Sequence, residues 1–243
     1  MNIALPTYNR LEYLRTSVKS LLSSDLNSDD CIWVYDDASS EPGVKEFLLE
    51  NECSQFRLSF NKSNLGCDHN VYESMRRTFE QTEDKFIVVT DPDAIYNPGW
   101  INFIKRKLKE HESSVNKIGM LSVFNTENHL EKEKDDLTNQ FEVYEDLTLC
   151  EKKSAGGLGL AINKDIFEKI DPNVILNHHT HFCWDWQCVL LCKQMKYKIL
   201  CSKDSYVEHI GLFGRHSPNG IYSDTAKNFL GEGENQSFKD FIL

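Results

Sequence analysis

Apolar residues along the chain fall into short runs separated by stretches of helical spacing, and the two kinds of segment alternate. Residues 3–5, 31–35, 56–60, 86–90 and 118–124 read as strands. Between them, Leu11, Leu14, Val18, Leu21 and Leu22 recur at helical spacing, as do Val71, Met75 and Phe79, and then Ile101, Ile104 and Leu108. Residues 42–49 predict a further helix opened by Pro42. Repeated strand–helix–strand units imply an α/β fold, a mainly parallel central sheet flanked by helices on both faces. Residues 125–146 are highly charged and predict a solvated loop; beyond it come a glycine cluster at 154–159, a short strand and helix ending near Ile170, a helix over 185–195 and two strands near 198–201 and 205–208. The polar stretch from residue 216 to 243 predicts a tail or flap.

In open parallel sheets, ligands bind beyond the carboxyl ends of the strands, so the residues directly after each apolar run are the first candidates for a site. The first run leads into Pro6-Thr-Tyr-Asn-Arg10, the second into Asp36-Asp37-Ala-Ser-Ser40, the third into Asn61 and then Asn64-Leu-Gly66, and the fourth into Asp91-Pro-Asp93. Acidic and aromatic clusters on one rim suit a nucleoside joined to a metal-bound phosphate chain.

Composition narrows this further. With 27 basic against 38 acidic side chains the formal net charge is −11, the wrong sign for general nucleic-acid binding. An anionic nucleotide would need a local offset to that field, and a divalent cation supplies one. No basic segment followed by an apolar stretch opens the sequence and no apolar run is long enough for a transmembrane segment, which predicts a soluble, cytoplasmic protein. The 8 cysteines lack paired C-x-x-C spacing and read as reduced thiols. Cys183, Cys188 and Cys192, near His178, His179 and His181, are of zinc-ligand type, but Cys188 and Cys192 stand one helical turn apart among apolar residues and read as core.

The motifs taken in order, Pro6-Thr-Tyr-Asn-Arg10, Tyr35-Asp-Asp-Ala-Ser39, Asn64-Leu-Gly66 with Asn70, and Thr90-Asp-Pro-Asp93 ahead of Pro98-Gly-Trp100, resemble the successive signatures of family 2 glycosyltransferases. Gly156-Gly157, Trp184-Asp185-Trp186 and Val207-Glu-His209 match that family's later landmarks, so the resemblance spans roughly residues 1–215. It implies a GT-A fold, a nucleotide-sugar donor, a glycan or glycoconjugate acceptor, and Mn²⁺ or Mg²⁺ as cofactor. It also implies a nucleotide-sugar-binding half over residues 1–124 and an acceptor-binding, catalytic half over 125–215. Asp93 and His209 would hold the metal, and Asp91 the sugar or ribose. Pro6, Tyr8, Asp37, Asn64 and Arg215 would bind the nucleotide; Gly156, Gly157, Trp184 and Trp186 would line the sugar or acceptor. Asp185 would be the base of a single in-line, inverting displacement, although relatives commonly carry an acidic residue where Trp184 stands.

Each of these residues also has a structural alternative. Asp91-Pro-Asp93 is ordinary turn chemistry, Asp36 and Asp37 could cap or form an Asx-turn, and Asp185 could cap its helix. Two other functions stay open: a sugar-phosphate nucleotidyltransferase, although the glycine- and basic-rich phosphate loop expected early in such a chain is missing from residues 6–10, and a non-catalytic carbohydrate-binding protein of the same fold.

Overall fold

The computed structural model describes residues 1–115, 117–132, 146–176, 183–211 and 224–230. In chain order the elements are β1 (Asn2–Thr7), α1 (Leu11–Leu22), β2 (Cys31–Asp36), α2 (Val44–Asn51), β3 (Phe56–Phe60), α3 (Cys67–Glu80), β4 (Phe86–Val89), β5 (Ala94–Tyr96) and α4 (Trp100–Glu110). There follow β6 (Ile118–Ser122), β7 (Leu149–Glu151), β8 (Leu160–Asn163), α5 (Lys164–Phe167), α6 (Pro172–Leu176), α7 (Trp184–Met195), β9 (Lys198–Ser202) and β10 (Val207–His209). Among these residues no helix is long and apolar enough to cross a membrane.

Eight strands make one sheet in the order β3-β2-β1-β4-β8-β6-β9-β7. Strands β3, β2, β1 and β4 are parallel, as the alternating pattern implies, and β6 pairs parallel with β9. β8 runs antiparallel to both β4 and β6, and β7 antiparallel to β9, so the second half of the sheet is mixed where the sequence suggested a more uniform one.

Residue alternation along the strands divides the apolar side chains between two faces. Ile3, Leu5, Ile32, Val34 and Val88 point to the face covered by α1, α2 and α4, where they meet Leu14, Val18, Leu48, Ile101 and Ile104. Ala4, Tyr35, Ile87 and Val89 point to the opposite face, against Val71, Met75 and Phe79 of α3 and Cys188, Val189 and Cys192 of α7. Cys188 and Cys192 are therefore core residues. Each fully buried Leu or Ile contributes about 1.5–3 kcal/mol, and the two layers hold the carboxyl ends of β1, β2 and β4 in one line. The eight cysteines form no disulfide.

A separate two-stranded ribbon, β5 with β10, pairs Ala94 with His209 and Tyr96 with Val207. Neither the three-residue β5 nor β7 has a pattern long enough to be read from sequence. The ribbon brings His209 to the residue after Asp93, and the Ile210 N–H donates to the Asp93 carbonyl at 2.9 Å.

Gly119 sits where β6 shifts register against β9, between Ile118 and Met120. A Cβ there would stand 2.5 Å from Cys192 Sγ and 2.9 Å from Tyr197 Cβ, so the glycine sets how closely α7 approaches the sheet. Gly119→Ala should lower the free energy of unfolding by about 1–3 kcal/mol in urea titrations, since the overpacked pair must move apart.

Candidate functional site

A cavity of about 590 Å³ opens at the carboxyl ends of β1, β2 and β4. Seven residues singled out from sequence line it: Pro6, Tyr8, Asp37, Asn64, Asp91, Asp93 and His209. They come from the end of β1, from the β1–α1, β2–α2, β3–α3 and β4–β5 connections, and from the end of β10. Tyr8 is 43 % exposed, an accessible ring at the cavity mouth.

Asp37 is buried, and its carboxylate ties the β3–α3 loop to β2. Oδ1 accepts from Asn61 Nδ2 at 2.9 Å and from the Leu65 N–H at 2.8 Å, and Oδ2 accepts from the Gly66 N–H at 3.0 Å. A carboxylate has about four acceptor positions, so one remains for a donor in the cavity. Asn64 donates to the Asp37 carbonyl at 3.3 Å, and Asn70 joins Asn61 to the Tyr35 carbonyl. Asp36 turns the other way: it accepts the Ser39 N–H and hydroxyl at 2.9 and 2.5 Å, a bond within its own loop three residues on.

The Asp91-Pro-Asp93 turn is pinned from below. The Tyr96 hydroxyl donates to the Asp91 carbonyl at 3.0 Å and bonds Thr90 Oγ1 at 2.5 Å, while Ser17 Oγ donates to the same carbonyl at 3.4 Å. Asp93 Oδ2 is shared by Arg10 Nη1 at 2.5 Å and His209 Nε2 at 3.3 Å. Burial alone would raise Asp93; the His209 bond and charge, followed by Arg10, outweigh it and hold the carboxyl below its ordinary range. Burial would likewise lower His209, but its bond to Asp93 and that residue's charge raise it. Asp91 moves the opposite way, raised first by burial and then by the Asp93 charge. Its carboxylate receives no hydrogen bond among the described residues, and His209 Nδ1 is buried without a partner. Two carboxylates and an imidazole are oxygen and nitrogen donors of the kind that hold Mn²⁺ or Mg²⁺, and a cation would offset the repulsion by which Asp93 raises Asp91.

The second group lies outside that cavity. Asp185 is the second residue of α7, with Cys183 rather than Asp185 in the cap position; its Oδ1 accepts the neighbouring Trp186 N–H at 2.8 Å. Its charge nevertheless raises Asp91 and opposes the lowering of His129 by burial, which places it within electrostatic reach of both. The two tryptophans divide: Trp184 is 6 % exposed and packs in the core, whereas Trp186 is 44 % exposed. A Cβ on Gly157 would stand 2.4 Å from the Trp184 ring, and one on Gly156 would stand 3.0 Å from His129 Nε2. At Gly157 the close approach is therefore to the Trp184 ring. Arg215, His216 and the histidines at 178, 179 and 181 lie outside the described residues, as does most of the 216–243 tail.

Four contributors carried no role in the sequence reading. Arg10 is the cation on Asp93, and Tyr96 anchors Asp91. Gly211 leaves no room for a side chain, since its Cβ would meet Asp93 Oδ2 at 2.2 Å. Glu41 accepts the Arg10 and Leu11 N–H groups at 2.5 and 3.2 Å and so caps α1 from another loop. Arg10 alone had a legible signal, as a basic residue in an acidic rim.

Comparison with known proteins gives the family and the fold. The sequence profile described as glycosyl transferase family 2 matches residues 2–171, and the chain belongs to that family. Its fold is that of the GT-A glycosyltransferases. Staphylococcus aureus TarS 1-349 in complex with UDP-GlcNAc is similar with a TM-score of 0.60 at 15 % identity, covering 91 % of this chain and 61 % of that one. The mannosyltransferase PcManGT from Pyrobaculum calidifontis, in complex with GDP-Man and Mn²⁺, has a TM-score of 0.57 at 16 % identity, covering 89 % of this chain and 58 % of that one. The chain therefore spans about three-fifths of the length of these two structures. No curated protein matches it in sequence.

The bonds of Asp37 lead to a measurable distinction. Asp37→Asn turns an amide donor toward backbone N–H groups, and ligand-free protein should lose about 1–3 kcal/mol of stability in thermal or urea denaturation. Unchanged stability would mean that the carboxylate is not what holds the β3–α3 loop.

Proposed function

We propose that the protein is a metal-dependent, inverting glycosyltransferase that moves a sugar from a nucleoside diphosphate sugar to a hydroxyl of a glycan or glycoconjugate. The observation that carries this reading is the convergence of Tyr8, Asp37 and Asn64 with Asp91, Asp93 and His209 around one cavity, in a chain of glycosyl transferase family 2.

Tyr8 offers its face to the base, Pro6 forms the wall beneath it, and the remaining acceptor position of Asp37 takes a donor from the base or ribose. Asn64 keeps the Asp37 loop in place. Asp93 and His209, with Asp91 beside them, would hold Mn²⁺ or Mg²⁺. When bound, the ion supplies positive charge to the diphosphate as it departs. A complex of a related fold with GDP-Man and Mn²⁺ supports the choice of a divalent cation.

Asp185 takes the proton from the acceptor hydroxyl, which makes that oxygen the nucleophile at the anomeric carbon on the side away from the diphosphate. Trp186 gives the apolar face of an acceptor sugar a surface to rest on. Residues 1–124 then serve the donor and 125–215 the acceptor, with Gly156 and Gly157 shaping the latter through His129 and Trp184.

Three measurements test these roles. Product analysis with a sugar nucleotide, set against a nucleoside triphosphate plus sugar phosphate, separates transfer from nucleotidyl chemistry, and no product from either leaves a binding protein. Calorimetry of nucleoside diphosphate binding should show affinity that EDTA removes and Asp93→Asn weakens; equal affinity with and without Mn²⁺ would remove the metal assignment. Asp185→Asn should keep the melting temperature and nucleotide affinity while single-turnover transfer falls on the order of a hundredfold or more. Retention of over roughly a third of the rate would return Asp185 to a helix-terminal role.

A further inference from the structure

The Arg10 guanidinium is bonded to the carboxylate oxygen that the proposed cation would need. Arg10 Nη1 stands 2.5 Å from Asp93 Oδ2, and Nη2 is buried with no hydrogen-bond partner, so the fork is half used. Its other contact is to the face of Tyr13, at 4.4 Å.

The backbone that aims this side chain is strained and specially held. Asn9 and Arg10 both have left-handed backbones, with φ of 53° and 60°. For residues other than glycine such conformations cost about 1–3 kcal/mol each and persist only where their surroundings impose them. Here the Asn9 N–H donates to Ser39 Oγ at 2.7 Å, and Asn9 Oδ1 accepts the Ser40 and Glu41 N–H groups at 2.8 and 3.0 Å. The Glu41 carboxylate then receives the Arg10 and Leu11 N–H groups. Four polar residues of two loops thus fix where the Arg10 side chain begins.

We propose that Arg10 is the built-in counter-ion of the metal site: it holds Asp93 when no ligand is present and turns its fork to the diphosphate when a divalent cation takes over the carboxylate. This rests on the metal-dependent reading above. The physical logic is exchange of partners. A guanidinium on Asp93 opposes a divalent ion arriving alone, by competition for the oxygen and by like-charge repulsion. A nucleoside diphosphate reverses the sign, because its phosphate oxygens accept two parallel bonds from an arginine fork. Arg10 therefore makes metal and nucleotide bind as a pair, a coupling between two ligands through one side chain.

The test uses the full chain and two probes, Mn²⁺ alone and UDP or GDP with Mn²⁺, titrated by calorimetry. Arg10→Ala should bind Mn²⁺ alone several-fold more tightly than wild type, while its affinity for the nucleoside diphosphate in Mn²⁺ falls about 10–100-fold, the range of charge-assisted hydrogen bonds. Arg10→Lys keeps the charge and loses the fork; it should leave Mn²⁺ alone weakly bound yet recover only part of the nucleotide affinity. Opposite shifts in one variant are not produced by general loosening of the fold, which melting temperatures check. Unchanged or weaker Mn²⁺ binding in Arg10→Ala overturns the counter-ion role even if nucleotide affinity drops. A wild-type protein that binds UDP or GDP equally well in EDTA overturns the metal-dependent reading instead, and one that binds neither Mn²⁺ nor nucleotide overturns both.

Discussion

Two carboxylates, Asp91 and Asp93, stand two residues apart at the buried end of β4, and the surrounding site is arranged around the negative charge they place there. Like charges in a low-dielectric setting repel strongly, and the protein as a whole already carries a formal charge of −11. Arg10 and His209 bond one carboxylate directly, while at the other burial and the neighbouring Asp93 outweigh the charges of His209 and Arg10. The β5–β10 ribbon delivers His209, the left-handed Asn9–Arg10 turn delivers the guanidinium, and Tyr96 holds the Asp91 carbonyl beneath.

Much of this was legible before any coordinate. The span 56–60 for β3 and the start and end of α1 follow from apolar spacing, because those segments are amphipathic or buried over their whole length. The rim residues were legible for a different reason: in a parallel sheet, being next after a strand is already a position in space. That argument reached Tyr8, Asp37, Asn64, Asp91 and Asp93 from their places after strands, and the family resemblance pointed to His209.

What stayed hidden depends on contacts between distant segments. That His209 meets Asp93 follows from a ribbon whose strands are three residues long, too short for any periodicity. Glu41 looked like an ordinary loop acid, and its capping of α1 exists only once the β2–α2 connection folds over Asn9. That a side chain at Gly157 would meet the Trp184 ring is likewise a contact between segments far apart in sequence. Nor does composition distinguish the two tryptophans beside Asp185; Trp184 joins the buried cluster next to Gly157, and Trp186 is left in the open.

The reversed β8 has a consequence for how the chain is made. Strand β4 has β1 on one side and β8 on the other, and β6 reaches β4 only through β8. As the polypeptide emerges from the ribosome, the first four parallel strands can pair and cover themselves with α1 to α4, but β4 then shows a bare apolar edge. The five buried residues of β6 have no strand to join until residues 160–163 have been synthesised. An exposed edge beside an unpaired apolar strand is the state most open to pairing with another nascent chain. Slower translation between residues 122 and 160 would lengthen that exposure, and expression yield, rather than the stability of the finished protein, is where the cost would appear.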